Sequence, residues 1–386
     1  MSKSTTLMCH DCHHKVNLPT LTDGQEAVCP RCGFQLSTLY HNAQQRIIAL
    51  SCTSLIFLFA SLPYVFLSFS ANGQLQSIEL LSSFWILVDK DYGFLALLQV
   101  FAVLILPAYV LLSLLYLLLP QSFGLIPPKA NWVVKILFSL LPWTMAEIFL
   151  IGVLVSLIKI MSMADIGLGI SFYTYVLFTI SMTMTLVFVD KYQLKKSLML
   201  EDQQDPSPIT PNLSIQKTWA FLFTSVILYI PANILPIMHT RFLGSDQANT
   251  ILGGVILLWN TGSYPIAIII FIASVFIPVA KIIILCWLNY SIQINQHQAK
   301  NVRILCYRIT EFVGRWSMVD VFVVAILVSL VQLGNIMSIV PGHAAIAFCG
   351  VVIFTMFAAM SFEPRLIWHA TESPHAGESQ VCDQPK

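Results

Sequence analysis

Four cysteines near the start of the chain, Cys9, Cys12, Cys29 and Cys32, make two Cys-x-x-Cys pairs with sixteen residues between them. Two such knuckles supply four thiolates that can close a tetrahedral site, and Gly33 lets backbone amides approach the sulfurs. In a reducing compartment, a bound metal is expected in preference to disulfides. Zinc fits the ligand set best, while a rubredoxin-like iron site with the same ligands stays open. The structural reading is a module of about 35 residues, within 1–45, that folds only around its metal; redox chemistry is the other reading. His10, His13 and His14 flank the first knuckle, but four cysteines already satisfy the ion. Cys52, Cys286, Cys306, Cys349 and Cys382 have no partner at useful spacing and read as small apolar residues.

A second set of chemically capable residues lies inside apolar sequence. Ionisable groups at bilayer depth are costly and mark function by default. Lys281 is placed about eight residues, or roughly 12 Å of helix, from the end of its span. It either snorkels to that end or joins a pocket. For the pocket, Ser274 lies two turns away on the same face, and Pro278 frees a backbone carbonyl one turn away. On the next span, Ser317 and Asp320 share a face at i, i+3, with Asp320 as the counter-charge, and Thr355 extends the cluster. Glu147 is the earlier counterpart of Asp320, whereas Val110 stands where Lys281 would fall. Pro231, Asn233 and Pro236 break another span near its outer end, either as a mouth or gate or as a packing kink.

These residues must be positioned by membrane helices. The 386-residue chain is 57% hydrophobic and 10% charged, against about 25% charged in ordinary soluble domains. Spans of about 20 apolar residues are expected near 47–69, 93–119, 133–158, 168–189, 218–238, 262–288, 311–334 and 343–362. With these eight spans, sixteen Lys and Arg fall on one side and three, Lys90, Lys159 and Arg241, on the other, which puts both termini in the cytosol. Trp143 and Trp316 are expected at the cytosolic interface. The first apolar stretch starts near Ile47, after the cysteines, so no cleavable signal is expected.

The spans also repeat. A shift of 173 residues superposes Pro63 on Pro236, Trp143 on Trp316, Met145 on Met318, Glu147 on Asp320, Phe149 on Phe322, Gly169 on Gly342 and Asp190 on Glu363. A shift of 171 superposes Pro107 on Pro278. Four spans per copy give two halves of the same orientation. The expected fold class is an all-α polytopic membrane protein with two four-helix repeats, at 46–190 and 217–368. A linker at 191–216, proline-rich from Leu200 to Leu213, and a disordered tail at 369–386 complete the chain.

Three segments resemble the paraquat-inducible protein A family, which includes PqiA and LetA. They are Tyr229 to Met238, the Arg-Trp-Ser-Met-Val-Asp-Val-Phe run from Arg315 to Phe322, and the leading double Cys-x-x-Cys. The resemblance covers roughly residues 7 to 368. It implies a bacterial inner-membrane protein that works with an MCE-domain partner, a tunnel across the periplasm, to move phospholipid-like cargo between membranes. It also implies tetraspanin-like four-helix units, each preceded by a zinc-ribbon or rubredoxin-like module. Here the chain departs, because Lys191 to Gln216 contains no cysteine and the second metal site is absent.

The leading expectation is therefore a lipid-transport subunit; a membrane redox protein and a non-transporting scaffold are the alternatives. No P-loop, H-E-x-x-H or G-x-S-x-G motif occurs, which argues against ATP-driven or hydrolytic chemistry. A net charge of +1 gives no basis for a nucleic-acid partner.

Overall fold

The structure is a computed structural model. It describes residues 5–18, 23–71, 74–89, 93–160, 165–199, 211–242, 245–260, 262, 264–294, 300–330 and 337–369. The chain opens with two antiparallel hairpins, β1 (Thr5–Met8) with β2 (Lys15–Leu18) and β3 (Glu26–Val28) with β4 (Gln35–Thr38).

Beyond the hairpins the chain traverses one order of elements twice. The first pass runs α1 (Ala43–Ala60), β5 (Val65–Ala71), β6 (Gln74–Glu79), α2 (Ser82–Asp89), α3 (Gly93–Val100), a π-helical turn Phe101–Ile105, α4 (Leu106–Ser122), α5 (Ala130–Leu140), a 3₁₀ turn Leu141–Trp143, α6 (Ala146–Ile160), β7 (Asp165–Leu168), α7 (Ile170–Phe188) and α8 (Lys191–Ser197). The second runs α9 (Pro211–Ile234), β8 (Met238–Phe242), β9 (Ser245–Asn249), α10 (Ile251–Asn260), α11 (Tyr264–Phe271), a π-helical turn Ile272–Phe276, α12 (Ile277–Gln293), α13 (Lys300–Trp316), α14 (Val319–Leu330), β10 (Met337–Pro341), α15 (His343–Ser361) and α16 (Leu366–His369). Each pass closes a small antiparallel sheet, ordered β6-β5-β7 and β9-β8-β10, at the end of the helices away from the hairpin module.

The halves match in backbone detail. Both π-turns directly precede a proline two residues into the next helix, Pro107 and Pro278, at the 171-residue shift. Proline has no N–H to donate, so the ladder is interrupted there in both copies, and a π-turn absorbs the mismatch. Gly169 and Gly342, at the 173-residue shift, each begin a long helix. Their N–H groups donate to Phe66 O (3.1 Å) and Ile237 O (2.8 Å). A side chain at either glycine would collide with a backbone carbonyl, of Val65 or Pro236.

The halves join along α6 and α14. Phe149 and Phe322, equivalent residues at the 173-residue shift, meet edge to face with centroids 5.6 Å apart, so the local pseudo-symmetry axis passes between them. Gly152 allows this approach, since a Cβ there would meet Phe322 Cβ at 3.0 Å. Ser156 Oγ donates to Gly152 O at 2.8 Å within its own helix and reaches Val323 O across the junction at 3.4 Å.

Among the described residues, seven stretches are long and apolar enough to cross a membrane: Ala43–Ala60, Gly93–Ser122, Ala130–Leu157, Ile170–Phe188, Pro211–Ile234, Ala267–Gln293 and His343–Ser361. The stretch expected at 133–158 is interrupted at the Leu141–Trp143 turn, where Pro142 removes a donor. The stretch expected at 311–334 is not one helix. α13 stops at Trp316, α14 restarts at Val319, and 331–336 lie outside the described residues. The physical reason is the two-sided character of α13. Ile304, Tyr307 and Thr310 are buried on one face, while Val302, Leu305, Ile309 and Phe312 form an exposed apolar stripe on another. With its charged residues all off the apolar stripe and Arg303 buried on the opposite face, it has the pattern of a helix lying along a membrane surface rather than through it.

Three further expectations are corrected. Pro231 sits inside α9, which runs on to Ile234, so the helix is not broken there. Pro211 and Leu213 belong to α9, and α8 occupies the start of the linker, leaving 200–210 outside the described residues together with the tail from 370. α12 extends to Gln293, which places Lys281 twelve residues from its end, about 18 Å at 1.5 Å per residue. Trp143 packs on Phe357 at 5.3 Å, while Trp316 is exposed.

Candidate metal centre and buried polar site

The two hairpins of the module present their cysteines in the same way. Cys9 N–H donates to His14 O (3.0 Å) and Cys29 N–H to Phe34 O (2.8 Å), while His13 N–H donates to Cys9 O (3.0 Å) and Gly33 N–H to Cys29 O (2.9 Å). His13 and Gly33 occupy equivalent left-handed positions, φ 54° and 67°. Glycine adopts that conformation freely and histidine tolerates it locally.

The four sulfurs all lie within 4.8 Å of one another. Cys9 Sγ is 3.5 Å from Cys32 Sγ, and Cys12 Sγ is 3.6 Å from Cys29 Sγ. A tetrahedron with Zn–S bonds of about 2.3 Å has edges of about 3.8 Å, so the donor set fits a four-coordinate ion, and these separations are far too long for S–S bonds. Burial pushes the Cys9 thiol up to about 12 and the Cys12 thiol higher still. At Cys29 burial acts the same way, but hydrogen bonds from the Cys32 and Arg31 backbone amides outweigh it and draw the value down. A cluster of buried thiols with amides aimed at it is an arrangement that a coordinated cation would hold in the thiolate form.

The module touches both halves. Toward the first, Thr38 N–H donates to Asp190 Oδ2 (2.8 Å), Gln193 Nε2 donates to Ser37 Oγ (3.1 Å), and Tyr40 packs edge to face on Phe188. Asp190 also caps α8, accepting from the Tyr192 and Gln193 amides. Toward the second, Cys9, Cys12 and Cys29 share an apolar cluster with Leu288, Ile292, Ile304, Tyr307 and Trp368. Asp11, buried inside the first knuckle, accepts from Arg308 Nε (3.0 Å) and Nη2 (2.8 Å). Burial works against the ionised Asp11, but hydrogen bonds from His10 and Arg308 outweigh it and hold its carboxyl below the usual range. Arg31 stacks over Trp368, 4.6 Å from the ring centre. Sequence reasoning missed Asp11 and Arg308. One is masked by the neighbouring cysteines, and the other reads as an ordinary membrane-flanking charge.

Four of the five side chains expected in the polar cluster are buried in the second half: Ser274 and Lys281 at 3% exposure, Ser317 and Thr355 at 2%. Ser274 lies in the π-turn, Lys281 on α12 and Thr355 on α15, and α12 packs against both α13 and α15. Thr355 Oγ1 donates to Val352 O at 2.9 Å. Lys281 Nζ and Ser317 Oγ have no hydrogen-bond partner among the described residues. Lys281 does not reach out along α12 to its end. Its ammonium lies against Gly314, where a Cβ would meet Nζ at 2.8 Å. This is the last turn of α13, whose carbonyls lack helical partners and carry the negative end of the helix dipole. Gly314 is thus a site residue that the sequence did not single out.

Ser317 is not on a helix with Asp320. It occupies the turn between α13 and α14, so the i, i+3 face does not exist. Asp320 begins α14, and its side chain lies outside the described residues. In the first half, Val110 is fully buried where Lys281 has its counterpart, and Glu147 opens α6, half-buried. At the other end of the helices, Asn233 Nδ2 donates to Tyr229 O (2.9 Å) and Pro236 follows the end of α9.

The sequence profile of the paraquat-inducible protein A family matches residues 44–198 and again 215–372, one match per half. The chain is 38% identical over 406 aligned residues to an intermembrane transport protein PqiA of Escherichia coli K12, covering 96% of this chain and 97% of that protein. It is 28% identical over 397 residues to the lipophilic envelope-spanning tunnel protein A of the same strain, covering 95% and 92%. A probable intermembrane transport protein of Haemophilus influenzae is 28% identical over 404 residues, covering 94% and 95%. No solved structure matches. A double profile match over most of the chain, with a relative at this identity along nearly its whole length, makes this chain a member of the paraquat-inducible protein A family.

Proposed function

We propose that the chain is the inner-membrane subunit of an intermembrane lipid transport system, passing phospholipid-like cargo to or from an MCE-domain protein that forms a tunnel across the periplasm. The names of its relatives, intermembrane transport and envelope-spanning tunnel proteins, support transport. In this reading the chain has eight spans, α14 being the one beyond the seven counted, arranged as two halves of one orientation about an axis along the membrane normal. The module and both termini face the cytosol, as the sixteen-to-three bias of Lys and Arg favours. The sheets of the two halves then face the periplasm and the tunnel partner. The Cys9, Cys12, Cys29 and Cys32 site holds one zinc ion in a structural role.

The observation that carries the transport reading is Lys281, a lysine buried in the second half against the last turn of α13 and without a hydrogen-bond partner among the described residues. A cation buried at that depth without a partner, where its symmetry mate is a valine, is a binding element for an anionic group. A lipid phosphate is the anion available in that medium. Ser274, Ser317 and Thr355 supply neutral polar contacts, Asp320 the counter-charge, and Pro231, Asn233 and Pro236 the mouth at the periplasmic end. Photocrosslinking from residue 279 to radiolabelled phospholipid in cells tests this. Lys281→Met is expected to abolish both the lipid adduct and complementation at normal protein levels. Unchanged crosslinking and complementation in that variant would refute it.

A further inference from the structure

The metal site of the module carries a feature that four cysteines alone do not explain. The guanidinium of Arg308, 276 residues from Cys32 in sequence, reaches into it from α13 of the second half. Its Nη2 lies 3.7 Å from Cys32 Sγ. The same nitrogen and Nε hold Asp11 Oδ2 at 2.8 and 3.0 Å, and the guanidinium covers the Phe34 ring at 5.4 Å. Asp11 stands between two of the ligands, Cys9 and Cys12, and Cys32 is itself a ligand. Arg308 therefore touches both knuckles at once.

We propose that Arg308 is an outer-sphere partner of the metal centre, so that metal binding to the module and attachment of the module to α13 are one linked equilibrium. A divalent ion with four thiolates carries a formal charge of −2. Here it is buried against Leu288, Ile292, Ile304 and Tyr307, where a net charge is costly unless a cation compensates it. Arg308 supplies a hydrogen bond to a ligating sulfur, one positive charge that it shares between that sulfur and the Asp11 carboxylate and, through Asp11, a fixed orientation for the first knuckle. Groups that orient the residues bound to a metal are worth about 10–100-fold in metal affinity. Linkage then requires the converse: what the arginine contributes to metal affinity, the metal contributes to docking.

This inference rests on the metal reading of the four cysteines, and the metal content of the purified full-length wild type, measured first, separates the two. Less than one ion per chain would overturn both. With zinc(II) bound, release to a chromophoric chelator is expected to be 10–100-fold faster in Arg308→Gln and in Asp11→Asn. It should be intermediate in Arg308→Lys, which keeps the charge and loses the fork. Co(II)-substituted protein should show a shifted thiolate-to-metal absorption band in Arg308→Gln. In the reciprocal measurement, stripping zinc from the wild type should lower hydrogen-exchange protection across residues 300–316, whereas in Arg308→Gln that segment is already less protected and stripping changes it little. Wild-type release in Arg308→Gln, or protection of α13 indifferent to zinc in the wild type, would overturn the proposal.

Discussion

Gly314→Ala is the smallest change that separates the position of Lys281 from its charge. A Cβ at residue 314 would lie 2.8 Å from Nζ and 3.2 Å from Cε. Ordinary contacts of this kind begin near 3.5 Å, so the ammonium must retreat by about 0.7 Å from the end of α13. The helix itself gains, because alanine is favoured over glycine by about 1 kcal/mol in a helix interior and somewhat less in a last turn. The expected result is thus a protein of unchanged or slightly higher thermal stability with impaired lipid transfer, and Gly314→Leu should be worse. Accessibility of the amine gives a direct readout. Lys281 should resist an amine-reactive label in the wild type, remain nearly resistant in Gly314→Ala and become labelled in Gly314→Leu, quantified by mass spectrometry. If Gly314→Leu transfers lipid normally and leaves Lys281 unlabelled, the placement of the ammonium against α13 is wrong.

Other contacts carry their own expected outcomes. Elemental analysis of the full-length protein should find one zinc per chain and a colourless solution; stoichiometric iron with a reversible visible spectrum would instead favour the redox alternative. Cys12→Ser should lower the metal content and render the first 42 residues sensitive to protease while leaving the spans folded, as read by limited digestion and intact-mass analysis. A double-mutant cycle on Phe149→Leu and Phe322→Leu should show a coupling of about 0.5–1.5 kcal/mol, the range for an edge-to-face pair. Additive effects would mean that the halves do not meet there. Gly169→Ala and Gly342→Ala should each cost several degrees of thermal stability, because the added methyl group collides with backbone rather than with a side chain able to move.

Much of this was legible because hydrophobic length and marker residues survive averaging. The spans and the module boundary emerge from long apolar runs, and the 171- and 173-residue shifts recover pairs that the fold makes equivalent, Phe149 with Phe322 and Gly169 with Gly342. The part that was not legible is the part set by tertiary contact. α13 and α14 merge into one expected span because α13 carries apolar residues on its outward stripe, and a count of apolar residues does not record which face they occupy. The break falls at Ser317 without proline or a run of glycines to announce it, so a turn residue was read as a helix residue. Pro231, the louder signal, breaks nothing, because its missing donor is tolerated within α9. Arg308 reads as any charge that orients a membrane helix until the fold sets Asp11 and Cys32 beside it.

The asymmetry between the halves then has a physical form. Both copies keep the backbone devices, the π-turn before Pro107 and Pro278 and the glycine start of α7 and α15, so these serve the shape common to the two bundles. Chemistry differs on that shared frame. Position 110 is a valine packed in an apolar core, whereas position 281 is a lysine whose burial stands against several kcal/mol of desolvation unless polar groups meet it. α13 meets it at one end through Gly314 and meets the cysteine module through Arg308 six residues earlier, about 9 Å along the helix. Among the described residues, the equivalent helix α5 of the first half meets neither a cysteine knuckle nor a buried lysine. The helix that touches the four-cysteine site is thus also the helix against which the buried lysine lies.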